Sequence, residues 1–264
     1  MLAELCQSIW CVFRVSAQYL RSGIPLALGS AALFGASVPC AKLLLGQGAN
    51  AWLMAGLLYL GSGLGLGAFL VARYFRGKPS SEAPLRRSDI PWMFLVILSG
   101  GVVGPLLLMF GLSRTPATSA VLLLNLEGLA TMAFAWLVVR EYVDRRLFIG
   151  AMAILAGAVL LSWQAGTVSI SWGALLIIGA CLAWGIDNNL TRKISGSDPI
   201  QIVAIKGIVA GAINLGLGLA QGVTLPAWPL VAGAAFVGLL GYGISLVFFV
   251  MGLRHLGSAR TGAY

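Results

Sequence analysis

The sequence predicts an all-α membrane protein, a polytopic helical bundle, and three observations carry that prediction. The chain has 264 residues, of which 59% are hydrophobic and 9% charged, and its mean hydropathy is +0.94. Soluble domains carry about 25% charged residues, so this composition excludes a water-exposed globule. Apolar runs long enough to cross a bilayer recur along the chain, separated by short polar loops. The 35 glycines lie scattered inside those runs, where they let helices approach closely, rather than in flexible linkers.

Residues 1–23 form an N-terminal cytoplasmic or interfacial segment. It does not read as a cleavable signal: it has no basic start, and Arg14 interrupts its apolar part. Leu2, Leu5, Ile9 and Phe13 recur at helical spacing, which fits an amphipathic interfacial helix; an over-extended start codon explains the segment equally well. Eight spans follow: 24–45, 51–75, 90–112, 117–139, 147–163, 170–190, 199–220 and 228–253. Pro91, Pro199, Pro226 and Pro229 fall at span ends, where proline costs least. Pro39 and Pro105 fall inside spans and predict kinks or local unwinding.

Basic residues set the orientation. With the N-terminus in the cytoplasm, fourteen of the 17 Lys and Arg residues fall on the cytoplasmic side. Arg114 alone falls opposite, and Lys42 and Lys206 lie within spans. The net charge of +9 therefore reports topology rather than a nucleic-acid partner. Cys6, Cys11, Cys40 and Cys181 show no metal spacing. The single histidine, His255, leaves no His-based metal or acid–base cluster, and no phosphate-binding loop is present. No cofactor is expected.

The fourth span contains one acid, Glu127. A carboxylate at bilayer depth costs on the order of 3 kcal/mol on insertion scales, so such a group normally faces protein or water. On a regular helix Ala120, Leu123, Leu124, Ala130, Thr131 and Phe134 share its side, and Leu122, Leu129, Met132 and Trp136 lie opposite. Asn125 falls about 160° away and is left out on that ground. The reading is a substrate- or proton-binding acid; the alternative is a protonated Glu127 bonded to a neighbouring helix.

Asp187 and Lys206 flank the hairpin between the sixth and seventh spans. Asp187 lies nine residues before Gly196 and Lys206 ten after it, which places both at one depth, roughly 14 Å from the turn. A buried charge needs a partner, so the two are expected to face each other. The pair fixes helix register, or it borders a site. Trp184 and Thr191 share Asp187's side. Asn188 lies about 100° further round, lining a cavity or packing. Lys42, near the outer end of the first span, either snorkels or faces an anionic group. Tyr242 is a weaker pathway candidate, with a backbone carbonyl as its expected partner.

Weak self-similarity runs through the chain. Ala32-Leu33-Phe34-Gly35 with Lys42 compares with Leu182-Ala183-Trp184-Gly185 and Arg192. Gly111-Leu112-Ser113-Arg114 compares with Gly252-Leu253-Arg254-His255. A unit of five spans, an odd number, would invert the second copy, which is a signature of secondary transporters. The units would be 24–163 and 164–264, the second incomplete, with eight transmembrane helices present of an expected ten.

The stretch LLLNLEGLATMAFAWLVVREYVDRRLFIGAMAILAGAVLL resembles the fourth and fifth helices of EamA-type carriers of the drug/metabolite transporter superfamily. GLRHLGSARTGAY resembles the start of their ninth. The resemblance covers about 24–264 and implies a ten-helix carrier of small metabolites. The family's frequent mid-helix proline is replaced here by Glu127-Gly128, and its acid at the cytoplasmic end matches Glu141, read as structural. The expected function is alternating-access secondary transport, export or exchange coupled to protons, in the bacterial inner membrane and in contact with membrane lipid. A homodimer is compatible with this. The rivals are a non-transporting membrane assembly module and an intramembrane lipid enzyme, for which no nucleophile–base set is present.

Overall fold

The computed structural model describes residues 2–77, 80–162 and 171–264, with side chains from Gly23 onward except 158–162. The side chains of the N-terminal segment thus lie outside the described residues. Twelve α-helices are present among the described residues. They are α1 (Leu2–Gly46), α2 (Ala51–Phe75), α3 (Ile90–Val96), α4 (Gly104–Arg114), α5 (Ala117–Leu124) and α6 (Leu126–Leu137), then α7 (Arg145–Ser162), α8 (Trp172–Ile194), α9 (Pro199–Ala220), α10 (Trp228–Gly238), α11 (Ser245–Leu256) and α12 (Ser258–Ala263).

Seven stretches among the described residues are long and apolar enough to cross a membrane: Gly23–Gly46, Ala51–Phe75, Arg87–Arg114, Ala117–Leu137, Trp172–Ile194, Pro199–Ala220 and Trp228–Leu256. The expected span 147–163 falls on α7, and its last residue lies outside the described ones. Polar residues set the helix starts. Asn50 accepts from the Trp52 amide at 2.9 Å, and Ser171 from that of Ala174 at 3.2 Å. Asp198 caps α9, whose first residue, Pro199, has no N–H to satisfy.

Two spans are interrupted by π-helical turns, Ile97–Val103 between α3 and α4 and Leu239–Ile244 between α10 and α11. The first has a visible cause. Pro105 has no N–H, so carbonyls one turn earlier lose a helical donor. Side chains replace it: Tyr59 and Trp184 both donate to the Gly100 carbonyl, at 2.6 and 3.0 Å, and Asn214 donates to that of Gly101 at 2.9 Å. The unwinding expected at Pro105 is thus real and is bonded from α2, α8 and α9.

At the centre α2 crosses α9 with almost no space between backbones. A methyl group on Gly63 would lie 2.3 Å from the Ile208 nitrogen, and one on Gly207 2.6 Å from that of Gly63. Lipid tails are as apolar as the side chains, so close contact and hydrogen bonds, not burial from water, hold such helices together. Around this crossing α1 packs on α11, while α4 and α6 pack on α8. If α1 is matched with α8, α2 with α9, and the broken third span with the broken eighth, then the α1–α11 and α8–α4 contacts are counterparts.

Candidate functional site

A cavity of about 240 Å³ opens between α1, α2, α5, α6, α8, α9, the second π turn, α11 and α12. Glu127, Asp187, Asn188, Trp184, Lys206 and Tyr242 all line it, together with Tyr59, Asn125, Ser30 and Ser245. Six of the seven residues singled out from the sequence therefore meet in one place. Lys42 does not. Its ammonium donates to the Leu112 carbonyl at 2.5 Å, near the end of α4, where cations favour the unpaired carbonyls.

Asp187 and Lys206 form a salt bridge at 2.5 Å and are 2% and 3% exposed. The equal depths counted from the hairpin turn brought them together. Thr191, one turn along α8, donates to the other Asp187 oxygen at 3.2 Å. Gly100 makes room for the carboxylate: a methyl there would lie 2.0 Å from Asp187 Oδ2. Each charge thus has a partner, which ions so deeply buried require.

Glu127 lines the same cavity from α6. Asn188 Nδ2 donates to its Oε1 at 3.1 Å and to Thr131 Oγ1 at 2.9 Å. Asn188 therefore borders the cavity and anchors Glu127 at once. Among the described residues no cation lies within ion-pairing distance of Glu127. The helix carrying it is not regular. It breaks at Asn125, whose side-chain amide turns back to the Val121 and Leu122 carbonyls at 3.3 and 3.1 Å. The break brings Asn125 to the cavity, which corrects its exclusion on regular-helix geometry.

Aromatic rings form much of the remaining wall. Phe34 meets Trp184 edge-on, with ring centres 5.5 Å apart, and Tyr242 at 5.6 Å; Tyr59 lies 5.4 Å from Tyr242. The Trp184 N–H is engaged by Gly100, so its role in the wall is apolar. Tyr242 is 1% exposed, and its hydroxyl has no partner among the described residues, contrary to the expected backbone carbonyl. Elsewhere in the lining Ser245 donates to the Ser30 carbonyl at 2.9 Å. Tyr59 escaped the sequence reading. Its signal was Pro105, which predicts a freed carbonyl in need of a donor.

Away from the cavity, a polar clasp ties four segments together. Arg254 donates to the Ser195 and Ser197 carbonyls at 2.6 and 2.8 Å and to Glu82 at 2.8 Å. Asp198 accepts from Arg73 at 2.9 Å and Ser80 at 2.7 Å. Burial alone would raise the Asp198 carboxyl. Hydrogen bonds from Ser80, Arg73 and the Ile200 and Gln201 amides outweigh it and hold the group below the ordinary range. Glu141 pairs with Arg192 at 2.7 Å.

Among the described residues no group of His, Cys, Asp and Glu could hold a metal ion. Comparison with known proteins gives a consistent picture. The sequence model of the EamA-like transporter family matches residues 21–163 and again 171–264. An uncharacterized transporter of Methanothermobacter thermautotrophicus is 31% identical over 70% of this chain, a match that spans 56% of that relative's length. The uncharacterized inner membrane transporter YedA of Escherichia coli K12 is 25% identical, over 82% of this chain and 71% of its own. A crystal structure with 19% identity superposes with a TM-score of 0.69 over 92% of this chain and 83% of that one, a likeness of fold.

Proposed function

Since the chain belongs to the EamA-like transporter family and is a multi-pass membrane protein, we propose that it moves a small metabolite across the cytoplasmic membrane by alternating access, as export or exchange coupled to protons. The observation that carries this reading is the cavity itself. It is lined by Glu127, a carboxylate with no ion-pair partner among the described residues, and by the ion pair Asp187–Lys206, within the apolar spans. A carboxylate at that depth favours a proton or a bound cation over standing alone, so it can exchange one for the other.

Two inverted halves, 24–163 and 164–264, would supply the motion, with the N-terminus in the cytoplasm. The π turns in the third and eighth spans would occupy matching places in the two halves, and the second borders the site through Tyr242, where such turns are often functional. In this scheme the Arg254 and Asp198 contacts form the cytoplasmic gate, which must open in each cycle. The family match favours this reading over a non-transporting assembly module or a lipid enzyme. Reconstitution in vesicles with an imposed pH gradient tests it. Glu127→Gln should abolish the gradient's effect on transport; unchanged rate and pH dependence would remove Glu127 from the coupling.

A further inference from the structure

Resting on that reading of the cavity, we infer that the substrate is a small organic monocation: an ammonium group on an apolar body, with one further group able to hydrogen-bond. Charge balance is the first support. Glu127, Asp187 and Lys206 are the acids and cation in the wall. Lys206 pairs with Asp187 at 2.5 Å, which leaves Glu127 without an ion-pair partner among the described residues. A ligand with a single positive charge makes the cavity neutral. An anionic ligand would add to the negative excess beside buried charges.

The second support is the shape and chemistry of the wall. Phe34, Tyr59, Trp184 and Tyr242 line the same cavity as the carboxylate, and ring faces attract an alkylated ammonium that is only weakly hydrated. The third is the Tyr242 hydroxyl, buried and without a partner on the protein among the described residues. Buried hydroxyls are normally bonded, so this one is left for the ligand. The cavity volume of about 240 Å³ limits the ligand to a small molecule. Proton and cation then compete for one site. The cation enters as Glu127 releases its proton to solvent, and the exchange leaves the charge of the cavity unchanged.

The test uses the purified chain and four probes: choline, its neutral isostere 3,3-dimethylbutan-1-ol, tetramethylammonium and succinate. Binding is read by tryptophan fluorescence and by thermal shift. Choline should bind at least tenfold more tightly than the neutral alcohol, and succinate should not bind. Glu127→Gln should abolish choline's advantage over the alcohol. Tyr242→Phe should leave the unfolding temperature of the free protein unchanged and bring choline down to the level of tetramethylammonium. Equal binding of choline and the alcohol, a preference for succinate, no binding of any probe, or an advantage that survives Glu127→Gln each overturns the inference. Proton coupling is read separately from transport in vesicles. A chain that couples to protons through Glu127 yet does not prefer choline keeps the carrier reading and loses the substrate class. A chain that prefers choline but transports independently of Glu127 does the reverse.

Discussion

The side-chain amide of Asn188 spans two residues of the neighbouring helix, giving one hydrogen to Glu127 at 3.1 Å and the other to Thr131 at 2.9 Å. Both donors are used, so Asn188 fixes the direction of the carboxylate without adding charge. Asn188→Leu removes both bonds and leaves two acceptors in an apolar wall, at about 1–3 kcal/mol each where burial is complete. The expected outcome is a lower unfolding temperature and transport reduced at least tenfold. Asn188→Gln, which keeps the amide but moves it, should restore stability better than rate.

The Asp187–Lys206 pair gives a sharper energetic prediction. Removing one partner strands a buried charge, at roughly 3–5 kcal/mol. Asp187→Asn and Lys206→Met should each lower stability strongly in detergent. Joining the two substitutions should recover most of the loss, because a neutral apolar pair has no desolvation penalty to offset. Exchanging the two charges should recover folding to a similar degree. Whether it also restores transport separates a structural pair from one that moves during the cycle.

Glycine positions predict opposite outcomes for one substitution. Gly100→Ala drives a methyl to 2.0 Å from Asp187 Oδ2, and the chain should fold poorly. Gly216→Ala, on α9, meets nothing within 4 Å. A helical glycine costs about 0.5–1 kcal/mol relative to alanine, so Gly216→Ala should unfold at the same temperature as the parent or higher. Equal behaviour of the two variants would contradict the packing described around the first π turn.

Asp198 makes the clasp sensitive to acid. Its folded pKa lies below the unfolded value of about 3.9, so its contribution is complete above that value. The contribution is lost as pH falls through the lower, folded pKa. Unfolding temperatures measured from pH 7 down to pH 3 should therefore fall at the acid end. Asp198→Asn should lower stability at neutral pH and flatten that part of the curve.

Much of this site was legible because bilayer physics makes charges conspicuous. Glu127 stands out against its apolar neighbours, and counting from the hairpin turn was enough to pair Asp187 with Lys206. Features that depend on broken helices were not legible. Asn125 was assigned to the wrong face because its own back-bonding amide ends α5, and helical periodicity does not register such a break. Tyr59 looks like any aromatic residue in an apolar span until the Gly100 carbonyl is seen to need it. Lys42 was ambiguous because a cation near a span end can reach water or a carbonyl with the same reach, and here it takes the Leu112 carbonyl.

Each π turn also stores one residue of slack. A π turn is an α-helix holding one extra residue, so shifting the turn along the span lets one half swivel by about 100° and slide by about 1.5 Å without a lasting loss of backbone bonds. In the third span that slack is pinned, because Tyr59, Trp184 and Asn214 hold the carbonyls of Gly100 and Gly101 in place. In the eighth span the Tyr242 carbonyl receives one side-chain donor among the described residues, Ser62 at 2.8 Å. More side-chain bonds therefore oppose a shift of the turn in the third span than the one described in the eighth, where Tyr242 itself lines the cavity.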